Sequence, residues 1–244
     1  MRNLKLTLAY DGTGFHGWQV QPNLLTVQGV LQQALQGLFN HEVTVTGSGR
    51  TDRGVHAAGQ VANTQTIRTM DTAAVVRGLN ALLPAEVRVL QVEEVDAGFH
   101  ARHSARSKTY EYHIWRQQIV SPFRCRYVYV FPYPLNAETI DQASGCFVGT
   151  HDFTSFCASS TESEDRVRTI YAIEWDRTEE EWVLRIRGDG FLQYMVRTIV
   201  GTLLYVGSGK LQVHHIPEIF HARDRRLAGP CVPPHGLHLL RVDY

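Results

Sequence analysis

The stretch GSGRTDRGVHAAGQV, Gly47 to Val61, places one carboxylate, Asp52, between two guanidinium groups, Arg50 and Arg53, with glycines at 47, 49 and 54. Nearby opposite charge favours the ionised form of a carboxylate. An acid held in that form suits nucleophilic attack or proton removal better than proton donation. Glycine reaches backbone angles that other residues reach only with strain, so the cluster marks a tight loop or a close approach of backbone to a ligand. Asp and Gly are also ordinary turn residues, so the stretch reads either as a reactive acid or as a solvated turn. A second charged group stands in apolar company. Arg197 lies within LQYMVRTIVGTLLYVG, whose Leu192, Met195, Val196, Ile199, Val200, Leu203 and Leu204 form a long apolar stripe. An unpaired buried charge is costly, so Arg197 needs an anion unless it sits on the solvent edge of its helix.

These residues require elements to hold them. LKLTLAY alternates Leu4, Leu6, Leu8 and Tyr10 with polar or small residues, as a half-buried strand does. TVQGVLQQALQGLF spaces Val27, Val30, Leu31, Ala34, Leu35, Leu38 and Phe39 as an amphipathic helix with Thr26 as N-cap. VTVT (43–46) and QVANTQT (60–66) read as strands, which puts Asp52 on the loop joining them. TAAVVRGLNALLP is a helix stopped by Pro84, and VRVLQVEEV is a strand. A similar order follows: KTYEYHIW as strand, NAETIDQASGCFVG as helix, RTIYAIEWDR and EWVLRIRGDG as a hairpin, then the Arg197 helix ended by glycines at 207 and 209. The pattern predicts an α+β protein in two related halves, 1–103 and 104–244, with no low-complexity linker between them.

The bulk numbers set bounds. A chain of 244 residues with 43% hydrophobic and 20% charged residues has the composition of a soluble globular protein. No apolar run approaches the roughly 18 residues that read as a membrane span, and MRNLKLTLAYDG has no signal-peptide core, so a cytoplasmic location is expected. Cys125, Cys146, Cys157 and Cys231 form neither CxxC pairs nor zinc-finger spacings and read as free buried thiols. The twelve histidines, including His214 and His215, lack metal-site spacing, so no metal is implied. Formal net charge is zero, yet of the 24 basic residues 21 are arginine, gathered at Arg50/Arg53, Arg102/Arg106 with Lys108, Arg124/Arg126, Arg166/Arg168 and Arg223/Arg225/Arg226. The acids sit elsewhere, in TESED (161–165) and Glu179 to Glu181, so a basic face is compatible with a neutral chain.

Taken together, YDGTGFHGWQVQP, TVQGVLQQAL, GSGRTDRGVHAAGQV, LNALLPAEVRV, FHARHSARSKTYEYHIW, GTHDFTSF, GFLQYMVRTIVGTLLYVG and PPHGLHLLRVDY resemble, in order and nearly end to end, the bacterial tRNA pseudouridine synthase A (TruA) family. The resemblance implies two ferredoxin-like (RRM-like) α/β halves sharing a mixed, largely antiparallel sheet flanked by helices. It implies isomerisation of uridine to pseudouridine at positions 38, 39 and 40 of the tRNA anticodon stem-loop, by a homodimer with neither cofactor nor metal. Residue by residue it makes Asp52 the catalytic carboxylate and Arg197 the partner of that acid. Tyr110 becomes the ring that stacks on the target base and a group able to remove the C5 proton. Arg50 helps hold the nucleotide out of its helix, and Leu237 is the apolar neighbour of the acid. Arg53, Arg102, Arg106 and Lys108 are weaker RNA-contact expectations. Whether Asp52 attacks C1′ of the ribose, attacks C6 of uracil or removes the C2′ proton stays open, because all three need the same anion in nearly the same place.

Other classes fit less well. A non-catalytic RNA-binding protein would explain the strands and arginines but not a carboxylate in a phosphate-facing loop, and TYEYHIW lacks RRM-type signatures. A carboxylate-dependent hydrolase asks for a second acid close by, and the nearest downstream is Asp71. A phosphate-binding loop would require Lys-Ser/Thr after the glycines, which GSGRTDRG lacks. His16 and Trp18 in GTGFHGWQ suit either RNA contact or packing, with Trp18 the more structural of the two.

Overall fold

The computed structural model describes residues 1–161 and 163–244; Glu162, one of the acids of TESED, lies outside the described residues. The chain divides into two compact units, one of residues 1–106 with 238–244 and one of residues 107–237. The C-terminal strand thus returns to the first unit. The α+β class holds: strands and helices occur in both units, and within each unit antiparallel strand pairings predominate, with short parallel pairings of His238 and Leu239 to His56 and Ala57 and of Ile114 and Trp115 to Tyr129 and Val130.

In the first unit the chain runs β1 (Arg2–Tyr10), α1 (Val27–Phe39), β2 (Val45–Gly47), β3 (His56–Thr66), α2 (Thr72–Leu82) and β4 (Val87–Val95). Strand β1 lies between β4 and β3, antiparallel to both, and β2 pairs with the C-terminal half of β3. This β-α-β-β-α-β succession is a split β-α-β arrangement. Alternation along β1 turns Leu4, Leu6 and Leu8 into the core, each 0% exposed. At about 1.5–3 kcal/mol for each buried side chain, that face alone sets the register. Helix α1 starts at Thr26, whose hydroxyl accepts from the Gly29 amide, and ends at Asn40 in the left-handed region. Helix α2 is capped by the Asp71 carboxylate, which accepts from the Ala73 and Ala74 amides. Strand β3 is longer than its apolar pattern suggests. It begins at His56, and its first residues pair in parallel with the strand after Leu237, His238 opposite His56 and Leu239 opposite Ala57. The loop carrying Asp52 is therefore closed between β2 and a fully paired strand.

The second unit comprises β5 (Ser107–Trp115), β6 (Tyr129–Val130), α3 (Ala137–Gly145), β7 (Gly149–Asp152), β8 (Val167–Arg177), β9 (Glu181–Gly188), α4 (Met195–Gly207) and α5 (His215–Ala222). Its strands are ordered β5-β9-β8-β7, with β6 beside β5, and β8 and β9 form the expected hairpin. Helix α4 is buried on almost every side; within it Arg197 is half-buried and Tyr205 exposed. That is the placement of a helix with apolar residues all round. The final strand, β10 (Leu237–Asp243), follows an irregular segment of residues 228–233 and a short 3-10 turn, Pro234–Gly236. The expectation of four buried thiols needs correction. All four cysteines are free, but Cys157 is the buried one, Cys125 is exposed, and Cys146 and Cys231 lie between. Among the described residues no helix is long and apolar enough to cross a membrane.

Candidate active site

In the first unit Asp52 is half-buried, while its neighbours Arg50 and Arg53 are exposed. The loop is held from below by a buried polar network. Gln60, 0% exposed, accepts at Oε1 from the Ser48 hydroxyl at 2.6 Å and from the Val61 amide at 3.1 Å. Its amide nitrogen donates to the Gly49 carbonyl at 3.1 Å and, more weakly, to the Tyr10 hydroxyl at 3.4 Å. The Tyr10 hydroxyl also shares a hydrogen bond with Thr51 Oγ1, 2.8 Å away. Burial pushes the Tyr10 phenol up to about 12 despite these two hydrogen bonds, so it remains a neutral donor throughout the ordinary pH range. The Trp18 amide donates to the Thr51 carbonyl at 3.0 Å, and the Val55 amide closes the turn on the Asp52 carbonyl at 3.1 Å. Gly49 is thereby tied to β3 and Thr51 to β1 and the Trp18 loop, with the Asp52 carbonyl closed onto Val55 within the turn.

Two glycines are needed here for different reasons. Gly54 has φ +78°, left-handed backbone that an L side chain adopts only with strain. Gly17, φ +84°, lies so close beneath the loop that a Cβ would stand 2.6 Å from the Thr51 carbonyl oxygen and 3.2 Å from the Arg53 nitrogen. Trp18 is 1% exposed and fills the space beside Gly47, which supports its structural reading. His56 is buried and stacked on His238 at 4.8 Å, and its Nδ1 accepts from the Gly12 amide at 3.0 Å. Arg102 and Arg106 are exposed on the segment after β4. That segment is pinned by a buried amide pair: Asn63 donates to Asn3 and accepts from the Ala101 amide, and Asn3 donates to the Phe99 carbonyl.

In the second unit Tyr110 lies on β5 opposite Ile186, 7% exposed, with its ring edge-on to Phe191 at 5.2 Å. Lys108, two residues earlier, is half-buried opposite Gly188. Arg197 projects from the first turn of α4. Its Nε donates to the Val232 carbonyl at 2.7 Å, and the Val232 amide returns a long 3.4 Å bond to the Arg197 carbonyl. The guanidinium carbon lies 5.0 Å from the centre of the Tyr194 ring. Residues 229–236 form a strap over α4. A Cβ at Gly201 would stand 1.8 Å from the Pro230 carbonyl oxygen, the Gly229 amide donates to Thr202 Oγ1 at 2.9 Å, and Tyr112 donates its hydroxyl to the Pro233 carbonyl at 2.8 Å. Leu237, 5% exposed, follows the strap directly. Charge from Arg197 reaches two neighbours. His235 is held below its usual value by burial and then by Arg197, and Tyr112 is raised well above its usual value by burial, with Arg197 opposing.

A family model described as tRNA pseudouridine synthase matches residues 7–104 and 143–244. The chain belongs to the tRNA pseudouridine synthase family. Members isomerise uridine to pseudouridine in tRNA, and the chain is an isomerase of that class. Among its relatives, a protein named tRNA pseudouridine synthase A from Exiguobacterium sp. is 46% identical over 244 residues, covering 100% of this chain and 98% of its own length. One of the same name from Bacillus subtilis is 46% identical over 243 residues, covering 99% and 98%. A chain in a solved Cbf5-Nop10-Gar1 complex aligns over 82% of this chain and 54% of its own, with a TM-score of 0.36 and 15% identity, a likeness too remote to carry an argument.

Asp52, Arg50, Arg53, Arg197 and Leu237 fall within the segments matched to the synthase family, whereas Lys108 and Tyr110 fall in the interval 105–142 between them. The relatives nevertheless align across that interval, since they cover essentially the whole chain. Sequence reasoning did not find the supports of the synthase loop, Tyr10, Ser48, Thr51 and Gln60. Their signal was present as polar residues inside strand patterns, which burial makes costly unless they are paired.

Proposed function

We propose that the chain converts uridine to pseudouridine at positions 38, 39 and 40 of the tRNA anticodon stem-loop, with Asp52 as the catalytic carboxylate. The observation that carries this reading is 46% identity to tRNA pseudouridine synthase A proteins along essentially the whole chain. The base must leave its stack before its glycosidic bond can be rebuilt, at a cost of a few kcal/mol. Stacking on Tyr110 offsets it by about 1–3 kcal/mol, and Arg50 holds the extruded nucleotide. The N1–C1′ bond then breaks, the uracil turns, and a C5–C1′ bond forms. C5 gives up its proton to the Tyr110 oxygen in this proposal as that hydroxyl passes its own proton to solvent, and N1 gains one from solvent, so product and substrate have equal mass. Arg197 supplies the countercharge that keeps Asp52 ionised, and Leu237 keeps its surroundings apolar. Arg53, Arg102, Arg106 and Lys108 contact the RNA backbone. The enzyme acts as a homodimer in the cytoplasm, where tRNA is its substrate.

The test uses tRNA transcripts carrying uridine tritiated at C5. Tritium release is expected from the wild-type chain, with no change in nucleoside mass in a parallel reaction on unlabelled tRNA, and the release should disappear when uridines 38, 39 and 40 are all replaced by cytidine. Asp52→Asn should bind the same tRNA and release no tritium. Release that persists in the replaced tRNA would overturn the positions, and turnover by Asp52→Asn would overturn the role of the acid.

A further inference from the structure

Tyr194 has φ +64° and ψ +1°, the left-handed region, immediately before α4. A bulky residue there is an outlier, and such strain persists only where the surroundings over-determine it. Capping does not require the residue, because its side chain makes no hydrogen bond to the helix start. Core packing does not require it either, since it is 37% exposed. A glycine would satisfy the backbone at no steric cost. The ring does meet one group: the Arg197 guanidinium, 5.0 Å from its centre. An arginine side chain has many rotamers, and the Nε bond to the Val232 carbonyl at 2.7 Å holds one edge of the guanidinium. A ring against its face helps set the tilt of its plane and screens that face from water.

We infer that Tyr194 is a positioning residue for Arg197, its strained backbone being retained so that its ring can clamp the guanidinium plane against the Val232 carbonyl. The inference rests on the proposed role of Arg197 as the countercharge of the catalytic acid. Its chemistry is that of an aromatic face on a delocalised cation, so the ring and not the hydroxyl matters.

Tyr194→Gly relieves the backbone strain and removes the ring, which separates the two roles. Expected is a fall in kcat of about tenfold in the tritium-release assay, a KM for tRNA within twofold of wild type, and a melting temperature unchanged or higher. Tyr194→Phe should restore wild-type kcat. Wild-type kcat in Tyr194→Gly would overturn the inference, as would a loss that Tyr194→Phe fails to recover. A lower melting temperature accompanying the loss of kcat would make the ring a structural support instead, and a raised KM with kcat intact would make it an RNA contact; either overturns the clamp. Arg197→Met is measured alongside. If it is fully active, the role of Arg197 itself fails; if it is inactive while Tyr194→Gly is not, the clamp alone fails.

Discussion

The Asp52 loop and the Arg197 helix hold these two charged side chains by opposite means. Around Asp52 the support is polar and directional: Gln60 alone engages Ser48, Gly49, Tyr10 and Val61, all but the Gly49 bond fully buried. Around Arg197 the support is bulk. A largely buried helix packs against the strap, Gly201 on the helix meeting Pro230 and Gly229 on the strap meeting Thr202, with the Val232 carbonyl and the Tyr194 ring among the groups that orient the guanidinium. The difference follows from the groups presented. A short carboxylate has little reach, so its backbone must be placed, and hydrogen bonds to carbonyls and amides place backbone. A long guanidinium arm can be steered along its length, so packing the helix and clamping the plane suffices. Hydrogen-bond networks fail sharply when a member is lost, because the remaining partners stay buried and unmet. Packing fails in proportion to the atoms displaced.

The largest expected effect tests whether the two charges are equal partners. Asp52→Asn should lower kcat by about a thousandfold or more, since the proposed catalytic carboxylate is lost. Arg197→Met should lower it by roughly a hundredfold, the order seen when one preorganised electrostatic contact is removed. Equal losses in single-turnover tritium release would make the two a single unit; a wild-type rate for Arg197→Met would break the comparison. Next in size, Gly201→Ala drives a methyl group into the Pro230 carbonyl, where a Cβ would stand at 1.8 Å. Moving the strap should cost about 1–3 kcal/mol in urea unfolding and reduce kcat through the displaced Val232 carbonyl. Tyr10→Phe removes one hydroxyl and leaves Thr51 and Gln60 short of a partner. Stability should fall by about 1–3 kcal/mol, with kcat reduced and KM for tRNA unchanged. A stability loss with intact kcat would show that the network supports the fold and not the acid.

The smallest effect lies away from both regions. On the second unit's sheet His113 bonds Glu181 at 2.9 Å and faces Glu111 at 3.5 Å, while Arg185 bonds Glu111. Burial opposes protonation of His113, but the two carboxylates prevail and hold it above 6.5. A histidine raised in the fold contributes stability that is complete below its unfolded pKa and disappears as pH rises through its folded value. Glu111 is held at about 2, first by its hydrogen bond to His113, so its contribution is present above 4.5 and is lost as pH falls towards 2. The melting-temperature difference between wild type and His113→Gln should therefore shrink as pH is raised from just below 6.5 to well above it, with kcat unaffected at each pH.

Much of this was legible without coordinates wherever a short-range pattern has one solution. Alternation in β1, the 3.6-residue spacing and Thr26 cap of α1, and the stop at Pro84 are local, and each element formed where its pattern lies. The glycines around Asp52 announced a tight loop, and Gly54 does adopt left-handed backbone. Helix α5 and the short strands β6 and β7 escaped notice, since two to eight residues carry too little periodicity.

What the sequence determined by itself was the family, most of the longer elements and the residue types at the proposed catalytic positions, because motif identity and local hydrophobic period are properties of neighbours in the chain. What only tertiary structure decided was which distant groups stand behind them: the return of residues 238–244 to the first unit, Gln60 under Gly49, Val232 on Arg197, and a tyrosine held in strained backbone with its ring against that cation. Those contacts depend on packing between segments far apart in sequence, where each polar group finds its partner only after the apolar faces have chosen theirs.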